Sequence, residues 1–277
     1  MLEIIIALIL GGLVGSFLNV VAHRLPVMMK REWVAECAEI DGAKVEYADE
    51  YPERFNIAVP ASRCPKCNSQ IKPWFNIPVF GWLMLRGKCN DCSAPISARY
   101  PIVEGVTAIL SAATVWQFGA TLEGLFWLGF VWSLVALTLI DLDEMILPDK
   151  ITLPLVWAGI LWHLWSQTLP LETVIIGAMA GYLSLWSVYW LFKLITGKEG
   201  MGYGDFKLFA AFGAWFGWEA LPLIILLSAA AGAVIGLIQQ RIRAGQPMAF
   251  GPYLCVAAIV YLFFGEQIMA WYLGSMF

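Results

Sequence analysis

Apolar residues run along this chain in long blocks separated by short polar stretches. A bilayer core about 30 Å thick asks for about 20 apolar residues per helix. Blocks suited to that role occur at 2–22, 101–119, 122–141, 150–167, 172–195, 205–217, 219–239 and 250–273. The expectation is an all-α polytopic membrane protein with about eight transmembrane helices. The sixth block is short: its run from Phe206 to Gly217 reaches membrane length only if the helix starts at or before Asp205. No internal repeat or low-complexity tract is evident. Gly11, Gly12, Gly15 and Ser16 place small residues at a spacing that lets helices approach closely, and plain helix packing is the reading taken.

Composition supports the same class. Residues of the hydrophobic set make up 60% of the 277 and charged residues 14%, against about 45–50% and about 25% in soluble domains. A net charge of −4 argues against nucleic acid as partner, because phosphate binding needs clustered Lys and Arg. Of the 17 Lys and Arg, 11 lie from Arg24 to Arg99, which marks one water-facing segment.

That asymmetry also orients the chain. Basic residues concentrate on the cytoplasmic side of membrane proteins, so the stretch after Arg24 is expected inside and both termini outside. Alternating the spans places Lys150, Lys193, Lys198, Lys207, Arg241 and Arg243 inside as well, whereas the expected outer loops carry no Lys or Arg. The first block has Glu3 in place of a basic leader, lacks a small-x-small cleavage site and is followed by Arg24, so it is expected to be retained. The organisation expected is a first transmembrane helix (1–23), a cytoplasmic domain (24–100) and a seven-helix membrane domain (101–277).

The cytoplasmic segment has two parts. Arg31 to Arg54 is rich in acid, with Glu32, Glu36, Glu39, Asp41, Glu46, Asp49, Glu50 and Glu53. It reads either as a solvated face or as a surface that draws in a basic substrate segment. Further on, Cys64-Pro-Lys-Cys67 and Cys89-Asn-Asp-Cys92 form two Cys-x-x-Cys pairs. Four thiolates so paired suit structural, tetrahedral zinc in a ribbon-like fold, and a cytoplasmic address disfavours disulfides. Cys255 falls in an apolar block and reads as a packing residue; Cys37 has no partner pattern.

Ionisable groups at membrane spans default to functional hypotheses. The third block ends Asp141-Leu-Asp143-Glu144, followed by Leu147-Pro-Asp149, and the sixth opens Gly202-Tyr-Gly-Asp205. Both fall at the cytoplasmic boundary, so they can meet. Asp141 continues the apolar run directly, while Asp143 and Glu144 point elsewhere around the helix. Asp149 reads as the N-cap of the fourth span. Gly202 and Gly204 free the backbone beside Asp205 for unusual dihedrals and close packing. Two carboxyls in a low-dielectric site share a proton, one serving as base on water while the other polarises a peptide carbonyl.

Taken together, the ordered motifs Gly15-Ser-Phe-Leu-Asn-Val-Val-Ala-His-Arg-Leu-Pro26, the two cysteine pairs, Phe75-Asn-Ile-Pro-Val-Phe-Gly-Trp82, Arg99-Tyr-Pro-Ile-Val-Glu104, Asp141 with Leu147-Pro-Asp149, and Gly202-Tyr-Gly-Asp205 resemble the type IV prepilin peptidase family over nearly the whole chain. The resemblance implies a bacterial inner-membrane enzyme that removes a short basic leader from prepilins or pseudopilins at the cytoplasmic face, with Asp141 and Asp205 as the catalytic pair. It also implies methylation of the new N-terminus by S-adenosylmethionine. The cytoplasmic segment shows no glycine-rich nucleotide-binding turn, so methylation rests on the likeness alone. Glu104 is the candidate for that site, against the plainer reading of an acid at a helix boundary. His23 and His163 are expected at the interfaces. Three other readings stay open: a peptidase without methyltransferase activity, a proton-coupled transporter using the two aspartates, and a membrane-anchored zinc module. Oligomeric state is not legible.

Overall fold

The structure is a computed structural model and describes residues 1–42, 47, 51, 52, 54–242 and 248–274. Glu46, Asp49, Glu50 and Glu53 of the acidic stretch, and Arg243, lie outside the described residues. The elements are helical: α1 (Leu2–Asp41), α2 (Phe80–Met84), α3 (Arg99–Phe118), α4 (Leu122–Glu144), α5 (Asp149–Ser166), α6 (Leu171–Thr196), α7 (Tyr203–Phe216), α8 (Leu221–Ile242) and α9 (Gly251–Gly274). Each expected block coincides with a helix. Five of these are long and apolar enough to cross a membrane: Leu2–Asp41, Leu122–Glu144, Leu171–Thr196, Trp218–Ile238 and Gly251–Trp271. The chain is a multi-pass membrane protein. The other three expected spans differ for physical reasons: α7 has only 14 residues, and α3 and α5 bring charged and hydroxyl side chains into their runs.

Two compact units divide the chain, Met1–Trp132 and Ser133–Phe277. In the first, α1 does not stop near residue 23 but continues to Asp41, 40 residues in all, or about 60 Å at 1.5 Å per residue. The continuation is a scaffold. Arg24 and Arg31, both buried, donate to backbone carbonyls of the following loop: Arg24 to Asn56 (2.9 Å) and Pro60 (2.6 Å), Arg31 to Pro52 and Tyr51 (both 2.8 Å). Guanidinium groups taken out of water are held by such donations. His23 bonds the Tyr51 hydroxyl at 2.8 Å. The small residues of α1 pack helices, as expected: a side chain at Gly11 would strike Ser111, and a Cβ at Gly15 would stand 2.8 Å from the Glu104 Cα.

The second unit is built around α7, whose residues from Asp205 to Trp215 are nearly all buried. Enclosed by protein, a helix this short need not match the thickness of the lipid. Paired glycines bring α6 and α7 to backbone contact, Gly177 against Gly213 and Gly181 against Phe209. On the other flank Trp215 donates its Nε1–H to the Leu155 carbonyl of α5 at 2.8 Å, over Gly159. His163 faces the protein interior instead of a surface. It is 4% exposed and bonds the Trp215 carbonyl at 3.0 Å and Thr168 Oγ1 at 2.8 Å, because the terminal carbonyls of α7 need a donor inside the protein.

Candidate active site and metal centre

Asp141 occupies the last turn of α4 and Asp205 the first turn of α7. The α4 helix is closed by Met145, in the left-handed region at φ 54°, whose N–H reaches the Asp141 carbonyl at 3.0 Å. The connection that follows carries Leu147 into the gap between two glycines. A Cβ at Gly204 would lie 2.7 Å from Leu147 Cβ, and one at Gly251 would lie 3.1 Å from Leu147 Cδ2. Leu147 thus clasps the starts of α7 and α9 at the end of the unit where α4 finishes.

The two carboxyl groups are nearly closed to solvent, Asp141 at 5% and Asp205 at 7% exposure, and lie within electrostatic range of each other. The pair expected from position along the chain is therefore brought together. Neither Gly202 nor Gly204 takes a left-handed conformation; Gly202 sits at φ −80°, ψ 151°. The expectation of unusual dihedrals is corrected: Gly204 is required by the approach of Leu147, and a Cβ at Gly202 would stand 3.6 Å from Asp205 Oδ2.

Two further residues were not legible beforehand. Gly251, the first residue of α9, donates its N–H to Asp141 Oδ2 at 3.0 Å, using one of the free amides at a helix start. Cys255, one turn further along α9, is fully buried and lies within electrostatic range of both carboxyls. The Phe250-Gly-Pro252 turn is a visible signal for a helix start, but its partner 110 residues away is set by the fold.

Asp149 is not an N-cap. It is the first residue of α5, after Pro148, and makes no capping bond. Instead Lys207 Nζ reaches both its carboxylate oxygens at 2.7 Å, tying the α4–α5 connection to the turn that carries Asp205.

In the first unit the four cysteines form one cluster, with ligand atoms within 4.8 Å of one another. Both pairs fold alike: Asn68 N–H bonds the Cys64 carbonyl at 2.9 Å and Ser93 N–H the Cys89 carbonyl at 3.0 Å, with Asn68 and Ser93 left-handed at φ 59° and 57°. Short bridges Arg63 to Gln70 and Lys88 to Pro95 close the two loops. The Cys64–Cys92 and Cys67–Cys89 sulfurs are 3.8 and 3.9 Å apart. A tetrahedron with metal–sulfur bonds of about 2.3 Å has edges of roughly 3.8 Å, so the donor set fits zinc. Backbone N–H groups of Cys92 and Asp91 bring the Cys89 thiol down to about 6, whereas burial and the neighbouring sulfurs push Cys92 up, so the four thiols share one negative charge unevenly until a cation is bound.

Glu104 lies in the second turn of α3 and is buried. It caps no helix of its own; Oε2 accepts the Val79 N–H at 2.7 Å, and Val79 is left-handed at φ 62°.

Comparison with known proteins agrees along the chain. Residues 9–118 match the bacterial peptidase A24 N-terminal domain, and residues 128–237 match the type IV leader peptidase family. No solved structure matches. The chain is 50% identical to the prepilin leader peptidase/N-methyltransferase of Stutzerimonas stutzeri, over 98% of this chain and 93% of that protein. It is 52% identical to the Aeromonas hydrophila protein of the same name (95% and 91% covered) and 50% identical to that of Pseudomonas aeruginosa (98% and 93%). With near-complete coverage at this identity, the chain belongs to the prepilin leader peptidase/N-methyltransferase family.

Proposed function

We propose that this protein is the peptidase and N-methyltransferase its relatives are named for, with Asp141 and Asp205 as the peptidase pair. The supporting observation is the Leu147 clasp between Gly204 and Gly251, which holds two nearly solvent-free carboxyls within range of each other. One carboxylate takes a proton from water as the water oxygen attacks the peptide carbon, and the other, protonated, gives its proton to the carbonyl oxygen. Collapse breaks the C–N bond and protonates the leaving amine, so the pair ends with the one proton it began with. The substrate is a prepilin or pseudopilin, cut behind its basic leader while its hydrophobic helix stays in the bilayer. All eight helices of the expected set are read as spans of a bacterial inner membrane, with the termini outside and the cysteine cluster inside. The relatives' shared name tells against the transporter and zinc-module readings.

Zinc, bound by Cys64, Cys67, Cys89 and Cys92, braces the cytoplasmic segment; a four-thiolate site has no open position for catalysis. S-adenosylmethionine supplies the methyl group in the second reaction. Glu104 is assigned there as a positioning residue, acting through Val79 on the segment that follows. The domains are taken as a first span, a cysteine-bearing methyltransferase-associated segment and a seven-helix peptidase.

The test is purified protein in lipid given a prepilin, with products read by mass spectrometry. Asp141→Asn and Asp205→Asn should each abolish cleavage without loss of folding. Wild-type cleavage rates in both variants would overturn the pair. A methyl group on the mature N-terminus, dependent on S-adenosylmethionine, reads the second activity separately.

A further inference from the structure

The stretch from Pro73 to Leu85 contains no charged residue and is bracketed by Lys72 on one side and Arg86 and Lys88 on the other. It leaves the cysteine cluster after the first Cys pair and returns just before the second. A water-facing excursion with that composition would expose its apolar side chains to solvent. Phe80 is 66% exposed, Met84 65% and Leu83 55%.

Its position against α1 and α3 gives the depth. These helices run antiparallel in a fixed register: Asn19 Nδ2 reaches the Tyr100 carbonyl at 3.4 Å, Gly15 meets Glu104, and Gly11 meets Ser111. Pro78 packs at the next level, 3.5 Å from where a Gly12 Cβ would be, with Ala108 alongside at 4.0 Å. From Asn19 to Gly12 is about 10 Å along the helix axis. Gly12 is also at the middle of the apolar run of α1. The tip of the stretch therefore sits at lipid depth.

Several of its amides are bonded within the protein, as amide groups away from water must be. Pro73 and Pro78 have no N–H. Val79 N–H goes to the Glu104 carboxylate at 2.7 Å, Gly81 to the Ile77 carbonyl at 2.8 Å, and Leu83 and Leu85 to the Val79 and Gly81 carbonyls at 3.1 Å. Trp82 Nε1–H is spent on the Ile96 carbonyl at 3.0 Å.

We propose that Pro73–Leu85 is a re-entrant segment that dips into the leaflet on the cysteine-cluster side, with Phe80, Leu83 and Met84 of α2 against acyl chains. Glu104 is its anchor. Lys72, Arg86 and Lys88 stand where anionic headgroups are, and the exposed Trp74, with Lys72 Nζ 5.7 Å from its ring, lies at the boundary where tryptophans collect. The cysteine cluster is thereby held close to the membrane surface instead of on a free tether. This inference does not depend on Asp141 or Asp205.

The experiment uses the wild-type, full-length protein in phosphatidylethanolamine–phosphatidylglycerol vesicles carrying a phospholipid with a diazirine in its acyl chain. After photolysis, adducts are mapped by peptide mass spectrometry, and a parallel sample is footprinted with hydroxyl radicals. The expected result is lipid adducts on 73–85 at a level like that of α1 and about tenfold above 88–97, with little oxidation of Met84. Oxidation of Trp74 and Met84 without lipid adducts would overturn the proposal in favour of a water-facing segment. Neither lipid adducts nor oxidation would overturn it in favour of cover by another protein surface, such as a second copy of this chain.

Discussion

The N–H of Gly251 points at Asp141 Oδ2 from 3.0 Å, and an added Cβ at that glycine would lie 2.6 Å from the same oxygen. The start of α9 therefore sets where one carboxyl of the candidate pair can be. Gly251→Ala should lower the prepilin cleavage rate by about one to two orders of magnitude, since a misplacement near 1 Å can cost about 10²-fold. The control is Gly105→Ala, at a position with nothing within 4 Å of an added Cβ, where cleavage should stay at the wild-type rate. Equal rates in both variants would remove Gly251 from the site.

Lys207 and Asp149 make a bidentate pair at 2.7 Å, but their side chains are 28% and 53% exposed. Water screens such a pair, so its loss should cost only about 0.2–1 kcal/mol of stability. Its larger effect is to join the segments that carry Asp141 and Asp205. Lys207→Gln should reduce cleavage more than thermal stability, and Lys207→Arg should restore most of it. A reduction in cleavage that tracks the loss of stability, with no rescue by Arg, would leave only a surface ion pair.

Replacement of Cys64, Cys67, Cys89 and Cys92 by Ser should abolish binding of about one zinc per chain, read by metal analysis of purified protein. The segment from Cys64 to Cys92 should then become sensitive to protease, since metal binding and local folding are coupled there. A metal-free wild-type protein with the same protease resistance would contradict the zinc assignment.

Glu104→Gln keeps an oxygen for the Val79 N–H, while Glu104→Ala leaves that amide without an acceptor. The Ala variant should lose methylation by about tenfold or more, because an unsatisfied buried N–H costs about 1–3 kcal/mol and frees the segment it holds. The Gln variant should retain most of it. Leader cleavage should be unaffected in both. Loss of methylation in Gln as complete as in Ala would point to the charge, and not the hydrogen bond, as the property that matters.

His163 holds the Trp215 carbonyl at 3.0 Å in a buried setting. His163→Phe strands that carbonyl and should lower stability by about 1–3 kcal/mol, read as a drop in the melting temperature in detergent. His163→Gln, which can still donate, should fall between the two. An unchanged melting temperature in the Phe variant would mean that the α7 end is satisfied in another way.

The long apolar blocks, two Cys-x-x-Cys pairs and boundary acids were enough to place the helices, the four-cysteine cluster, and Asp141 with Asp205. These signals are local or rest on the bilayer, which imposes span length and charge asymmetry on any chain that crosses it. Contacts between distant segments carry no such mark. Asp149 looks like a cap until Lys207 is found beside it, and His163 looks like a surface residue until the enclosure of α7 gives it Trp215 to bind. Gly204 suggests backbone freedom, yet it is Leu147 that requires its missing side chain. Nor could the uncharged run after Lys72 be set at any depth before Pro78 was seen against Gly12. Sequence by itself determined the helical blocks and which residues are candidates for the chemistry; tertiary structure alone decided which of them meet, because close packing and buried hydrogen bonds are satisfied between segments and leave no periodic trace along the chain.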